Sequence, residues 1–171
     1  LEEKKPDEAL KHLARFELET LGSPLVGEVA RIKGDLLVGD RRYAEAQAEY
    51  ERILDMPTVP RQLKAQILLK LGDIMVAQKQ QLKGTAYYER VYVSFGKYLP
   101  EVAQAYWKRA EVLDALNQKD KAQEVYRELA ERQELSAQPE AGKALKRLDE
   151  RDPEWRTRER ASETTNPAPA S

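Results

Sequence analysis

Leu71-Gly72-Asp73-Ile74-Met75, and then Gly84-Thr85-Ala86-Tyr87-Tyr88-Glu89-Arg90-Val91, form the stretch whose reading decides the fold. A glycine interrupts one apolar run, and a small residue, a tyrosine and an aliphatic mark the next. The same columns recur 38 residues to either side: Tyr50, Tyr88 and Tyr126; Ala46, Gly84 and Ala122; Ile53, Val91 and Leu129; Gly34, Gly72 and Ala110. A period between about 20 and 50 residues marks a supersecondary unit that buries its apolar face on the next copy of itself. The chain therefore reads as a repeat protein.

Each unit reads as two helices. Leu63, Ile67, Leu68, Leu71, Ile74 and Met75 fall at helical spacing, and prolines concentrate between such runs. The expected helices are 6–20, 25–39, 42–55, 60–78, 80–95, 100–117, 119–133 and 138–151, with no strand. Pro6, Pro60 and Pro100 suit first helical turns, where the missing N–H costs nothing. Gly39-Asp40 and Asn117-Gln118 supply turn chemistry within the first and third hairpins. Ala77-Gln78 does not, so the turn there rests on the repeat register, with a longer or bent helix as the alternative.

Residues 1–22 then read as the second helix of a truncated preceding unit, with Ala9, Leu13 and Phe16 on one face. Residues 23–58, 59–97 and 98–135 are the three repeats, and 136–152 is a capping helix with a basic outer surface. Residues 153–171 form a tail, expected to be disordered from about residue 157, with Trp155 folding back onto the cap or making a second contact.

The 171 residues carry 29 basic and 30 acidic side chains, a formal charge of −1, and no cysteine. Near-neutrality lacks the one-sided basic field that phosphate backbones attract, so nucleic acid is not an expected partner. Disulfides and thiolate chemistry are excluded, while the compartment stays open. No run of 18 apolar residues occurs, so direct membrane insertion of this segment is not expected. His12 is the single histidine, set among charged residues, and no phosphate loop or histidine–glutamate metal motif is present. A non-enzymatic chain without a cofactor is the expectation.

The set Gly34, Leu37, Tyr43, Ala46, Tyr50 and Ile53, with its counterparts Gly72, Met75, Gly84, Tyr88 and Val91, then Tyr106, Ala110, Leu113, Ala122, Tyr126 and Leu129, resembles the tetratricopeptide repeat. The likeness covers roughly residues 25–133. The period is 38 where the family's is usually 34, and Lys33 and Arg109 stand where the family commonly has an aliphatic. The motifs at 91–98 and 105–110 look similar to those of tetratricopeptide proteins of bacterial cell envelopes, which implies an envelope or periplasmic location, with the cytoplasm as the other option. The resemblance implies an all-α fold, a right-handed α-α superhelix (solenoid) of hairpins, acting as a scaffold that binds a protein or peptide partner in its concave face.

By position, that resemblance directs the search for a binding site to Arg31, Asp35, Leu69, Lys70, Asp73, Trp107, Lys108 and Glu111. Asp35, Asp73 and Glu111 are 38 apart and would align as a ladder of carboxylates. The ladder either receives amides or basic groups of a ligand, or forms surface pairs within each helix, Arg31 with Asp35, Lys70 with Asp73 and Lys108 with Glu111. Family members that clamp a C-terminal carboxylate use asparagine, lysine and arginine at such positions, so basic or amide-rich ligands fit better here. Trp107 is either an exposed anchor or a core residue packing hairpin on hairpin. The rival reading is structural: a segment of a longer solenoid, or a homo-oligomer formed through the N-terminal half-repeat, whose Leu10, Leu13 and Phe16 need cover.

Overall fold

The computed structural model describes residues 4–23 and 25–157, and these are helical throughout their ordered elements, with no strand among them. The helices are α1 (Lys4–Glu19), α2 (Leu25–Gly39), α3 (Tyr43–Asp55), α4 (Arg61–Ala77), α5 (Gln81–Ser94), α6 (Leu99–Ala115), α7 (Lys119–Glu131) and α8 (Pro139–Arg151), with a 3-10 turn at Gln133–Leu135 before the last. Each packs chiefly on its chain neighbours, and α2, α4, α6 and α8 also touch in succession. No helix among the described residues is long and apolar enough to cross a membrane.

The turns inside the three hairpins are one structure used three times. Arg41, Lys79 and Asn117, again 38 apart, adopt left-handed φ values of 59°, 61° and 59°. The following N–H reaches back to close the helix end, Arg42 to the carbonyl of Leu37, Gln80 to that of Met75 and Gln118 to that of Leu113, at 2.8–2.9 Å. This is the Schellman closure, which satisfies helix-end carbonyls. The second hairpin therefore turns where the register places it, although lysine is a poor left-handed residue.

The repeated columns are the core. Ala46, Tyr50, Ile53, Tyr88, Val91, Ala122, Tyr126 and Leu129 are all at most 2% exposed. Gly34 and Gly72 exist for the tyrosines: a Cβ on either would sit 2.2 or 2.3 Å from a ring carbon of Tyr50 or Tyr88. Between hairpins, Val59, Phe95 and Leu135 turn inward and close the joints. At the far end Trp155 folds back, 4% exposed, with its indole N–H donating to Asp149 Oδ1 at 2.8 Å. The expected disordered tail lies, from residue 158 onward, outside the described residues.

Two charged residues in a column that is otherwise apolar find partners. Leu71 is fully buried at this position. Lys33 instead donates to Glu17 Oε2 at 3.0 Å and lies 2.7 Å from Glu49 Oε1, while Arg52 pairs with the same two glutamates. This four-membered network ties α1 to α2 and α3. Burial opposes the charge on Lys33, but its bonds to Glu49 and Glu17 prevail and raise its pKa. Arg109 donates to the Tyr92 hydroxyl at 2.6 Å, and Tyr92 stacks on Tyr106 with centroids 4.0 Å apart.

Candidate functional site

The candidate site is the line of charges where α2, α4, α6 and α8 meet. In the first hairpin the Tyr50 hydroxyl donates to Asp35 Oδ1, and Lys70 of the next hairpin lies 2.8 Å from the same oxygen. Arg31 adds a bond to Asp35 Oδ2 at 2.7 Å and one to Glu28 at 2.7 Å. In the second hairpin Tyr88 donates to Asp73 Oδ1 at 2.7 Å, and Lys108 of the third donates to both oxygens of Asp73 at 2.8 and 3.0 Å. Each aspartate is thus a clasp between its own tyrosine and the lysine of the following unit.

The third hairpin builds the clasp from other residues. Tyr126 donates to Asp114 Oδ2 at 3.2 Å, and Arg151 of α8 donates to the same oxygen. Glu111, which the 38-residue ladder nominates, is exposed and joins neither. Trp107 is half-buried, 5.2 Å from the Tyr126 ring and tilted to it, with the Lys143 ammonium 5.7 Å from its ring centroid. It packs against the C-terminal core while keeping an accessible edge.

Burial, and then the hydrogen bond to its aspartate, raises the pKa of Tyr50 and of Tyr88 well above the ordinary phenol range. Tyr126 is raised by burial and by the charge of Asp114. These hydroxyls are donors at any physiological pH.

Of the eight residues nominated from sequence, Arg31, Asp35, Lys70, Asp73 and Lys108 come together in the first two clasps. Lys70 and Lys108 pair across units rather than within their own helices. Leu69 needs correction: it is 6% exposed and packs with Leu68, Tyr88, Val91, Phe95 and Ala105, where no groove ligand reaches it. Sequence reasoning passed over Asp114, Arg151 and the tyrosine hydroxyls. The hydroxyls were within reach of inference, because a buried tyrosine needs an acceptor and Asp35 and Asp73 follow the glycines on which the rings lie. Asp114 and Arg151 break the period and carried no signal.

Between α2, α3 and α4 the first clasp borders a cavity of about 500 Å³. Val38, Tyr43, Ile74 and Ala77 supply its apolar wall, and Asp35, Lys70 and Asp73 its polar rim. Such a concave apolar space with a few converging polar groups suits one side chain of a larger ligand. No group of three histidine, aspartate or glutamate side chains that could hold a metal ion occurs among the described residues. Comparison with protein-family models, with curated proteins and with solved structures gave no match.

Proposed function

We propose that this chain is a non-enzymatic interaction scaffold of the tetratricopeptide kind, its hairpins forming a right-handed superhelix that receives a peptide or helix of a partner protein along α2, α4 and α6. The cavity of about 500 Å³ beside the first clasp is the observation that carries this reading. An apolar side chain of the ligand enters between Val38, Tyr43 and Ile74, and lone pairs of Asp35 and Asp73 not already taken accept its N–H groups. Trp107, Lys108 and Glu111 extend the contact toward the third hairpin. Because Lys70 and Lys108 already neutralise the aspartates, a basic ligand has to displace them, so amide-rich, apolar segments fit better than strongly basic ones.

Affinity capture with the intact chain and with Ala77→Trp tests this. Ala77 is exposed at the cavity wall, so an indole there takes the space that a ligand side chain would occupy. Partners held by the intact chain are lost by Ala77→Trp; their full retention by this variant sinks the assignment of the cavity.

A second reading has its own support in the exposed apolar side chains Phe16, Leu18, Leu21, Leu25 and Ile32, which are 46%, 70%, 68%, 54% and 39% accessible and all lie on α1, α2 or their turn. Ala9, Leu13 and Phe16 repeat the small, large, large spacing of the buried columns, yet Ala9 and Leu13 are only partly buried and Phe16 is exposed. In this reading the chain self-assembles through that edge, and sedimentation velocity at rising concentration detects it. A strict monomer at the highest concentration refutes it.

A further inference from the structure

The largest cavity described, about 610 Å³, lies on another part of the molecule, between α3 and α5, away from the clasps. Met75, Ala86 and Tyr87 form its apolar floor, and Lys83 and Arg90 stand over it. Seven residues apart, Lys83 and Arg90 are two helical turns distant on one face of α5, about 10 Å along the axis, with Tyr87 between them. Among the described residues neither cation has a carboxylate within ion-pair reach. Glu51, which accepts from Gln47 Nε2 at 2.8 Å and from the Tyr87 hydroxyl at 3.4 Å, borders the cleft without pairing with either.

The repeat makes this arrangement informative. The equivalents of Lys83 are Glu45 and Lys121, and those of Arg90 are Arg52 and Glu128. In the first hairpin Glu45 is held by Arg42 and Arg52 by Glu17 and Glu49. Of the three hairpins the second alone places two cations at these positions, and it does so over the cavity of about 610 Å³. Two unpaired like charges flanking an aromatic floor do not help the fold, since like charges on one face repel.

We infer that the cleft between α3 and α5 docks an acidic amphipathic helix from a partner protein, with two carboxylates seven residues apart meeting Lys83 and Arg90 and an apolar side chain between them resting on Met75 and Tyr87. Charge complementarity selects the partner, and the two-turn spacing of the cations sets the spacing of its acids. This surface is independent of the cavity beside Asp35.

The test uses the full chain and a fluorescein-labelled helical peptide with glutamates seven residues apart and a leucine midway, read by fluorescence anisotropy. The same peptide with glutamine at both positions is the control. The glutamate peptide binds saturably, binds more weakly as salt rises, and loses at least tenfold in affinity on the double variant Lys83→Glu, Arg90→Glu. Glutamate stands natively at one equivalent of each position, Glu45 for Lys83 and Glu128 for Arg90, so the double variant keeps the fold. Lys121→Glu, exposed on the next hairpin, leaves affinity unchanged and separates the cleft from net charge. Absence of saturable binding, equal binding of the glutamine peptide, undiminished binding by the double variant, or an equal loss on Lys121→Glu each overturns the inference.

Discussion

The second and third hairpins own the same parts and join them differently. Tyr88 lies flat over Gly72 and bonds the very next residue, Asp73, whereas Tyr126 faces Ala110 and bonds Asp114, one turn further along α6. A Cβ on Gly72 would come within 2.3 Å of the Tyr88 ring, so Ala110 closes that path to Tyr126. The displaced ring meets Trp107 and the acceptor shifts. The cation shifts with it: Lys146, 38 residues after Lys108, lies 3.9 Å from Glu150, and Arg151 takes the clasp position instead. One methyl group thus changes which residues link a hairpin to the next.

The largest expected effect that tests this contrast is alkaline unfolding. Phenols ordinarily ionise near pH 10, and burial with a carboxylate acceptor raises Tyr50, Tyr88 and Tyr126 above that. A raised native pKa means the unfolded chain releases the proton first. The stability these hydroxyls confer is therefore complete below about pH 10 and is lost as pH climbs from there toward the native values. Tyrosinate absorbance should rise together with loss of helical circular dichroism. Tyrosinate of these three residues, read as the difference from variants with phenylalanine at positions 50, 88 and 126, forming well before the helix melts would contradict the clasps.

Gly72→Ala comes next. It overpacks the Tyr88 ring and should destabilise by about 2 kcal/mol even though alanine favours helix, because inserted core volume typically costs 1–3 kcal/mol. Ala110→Gly should cost about 1 kcal/mol, chiefly helix propensity, since its tyrosine has already moved aside. Urea denaturation measures both. Equal costs would mean the methyl group does not divide the hairpins.

Smaller again is the hydroxyl itself. Tyr88→Phe should cost about 1 kcal/mol, and Tyr126→Phe less, because its bond is 3.2 Å against 2.7 Å. Lys108→Ala should cost only about 0.5 kcal/mol, since the Lys108 and Asp73 side chains remain 34% and 47% accessible. A double-mutant cycle of Tyr88→Phe with Lys108→Ala reads whether the two donors to Asp73 are coupled.

The turns give a small effect of opposite sign. Lys79→Gly should stabilise by about 0.5–1 kcal/mol by relieving a left-handed lysine, while Asn117→Gly should change little because asparagine tolerates that conformation. A thermal melt showing no gain for Lys79→Gly would place the closure elsewhere in the turn.

Much of the fold was legible because it is written locally and three times over. Pro60 and Pro100 mark helix starts, and Gly39-Asp40 marks a turn, from their backbone chemistry alone. The second turn was legible only through the register, because Lys79 has no turn preference of its own and is carried there by the identical spacing of its neighbours. The site was less legible. Lys70 stands three residues before Asp73 on one helix, which invites an intrahelical pair, yet it meets Asp35 at 2.8 Å on the preceding hairpin. Leu69 sits beside Lys70 in sequence but points 100° away around the helix, into the core.

What the sequence by itself determined is the helical content, the 38-residue register and the buried columns, since apolar spacing and recurrence lie along the chain and need no knowledge of what faces what. Only the tertiary structure decided which carboxylate each tyrosine reaches, which cation crosses to the next hairpin, and that Lys83 and Arg90 stand over a cavity with no ion-pair partner among the described residues. Those outcomes depend on distances between helices, and such distances are set by ring and methyl contacts, as at Gly72 and Ala110, that no single helix contains.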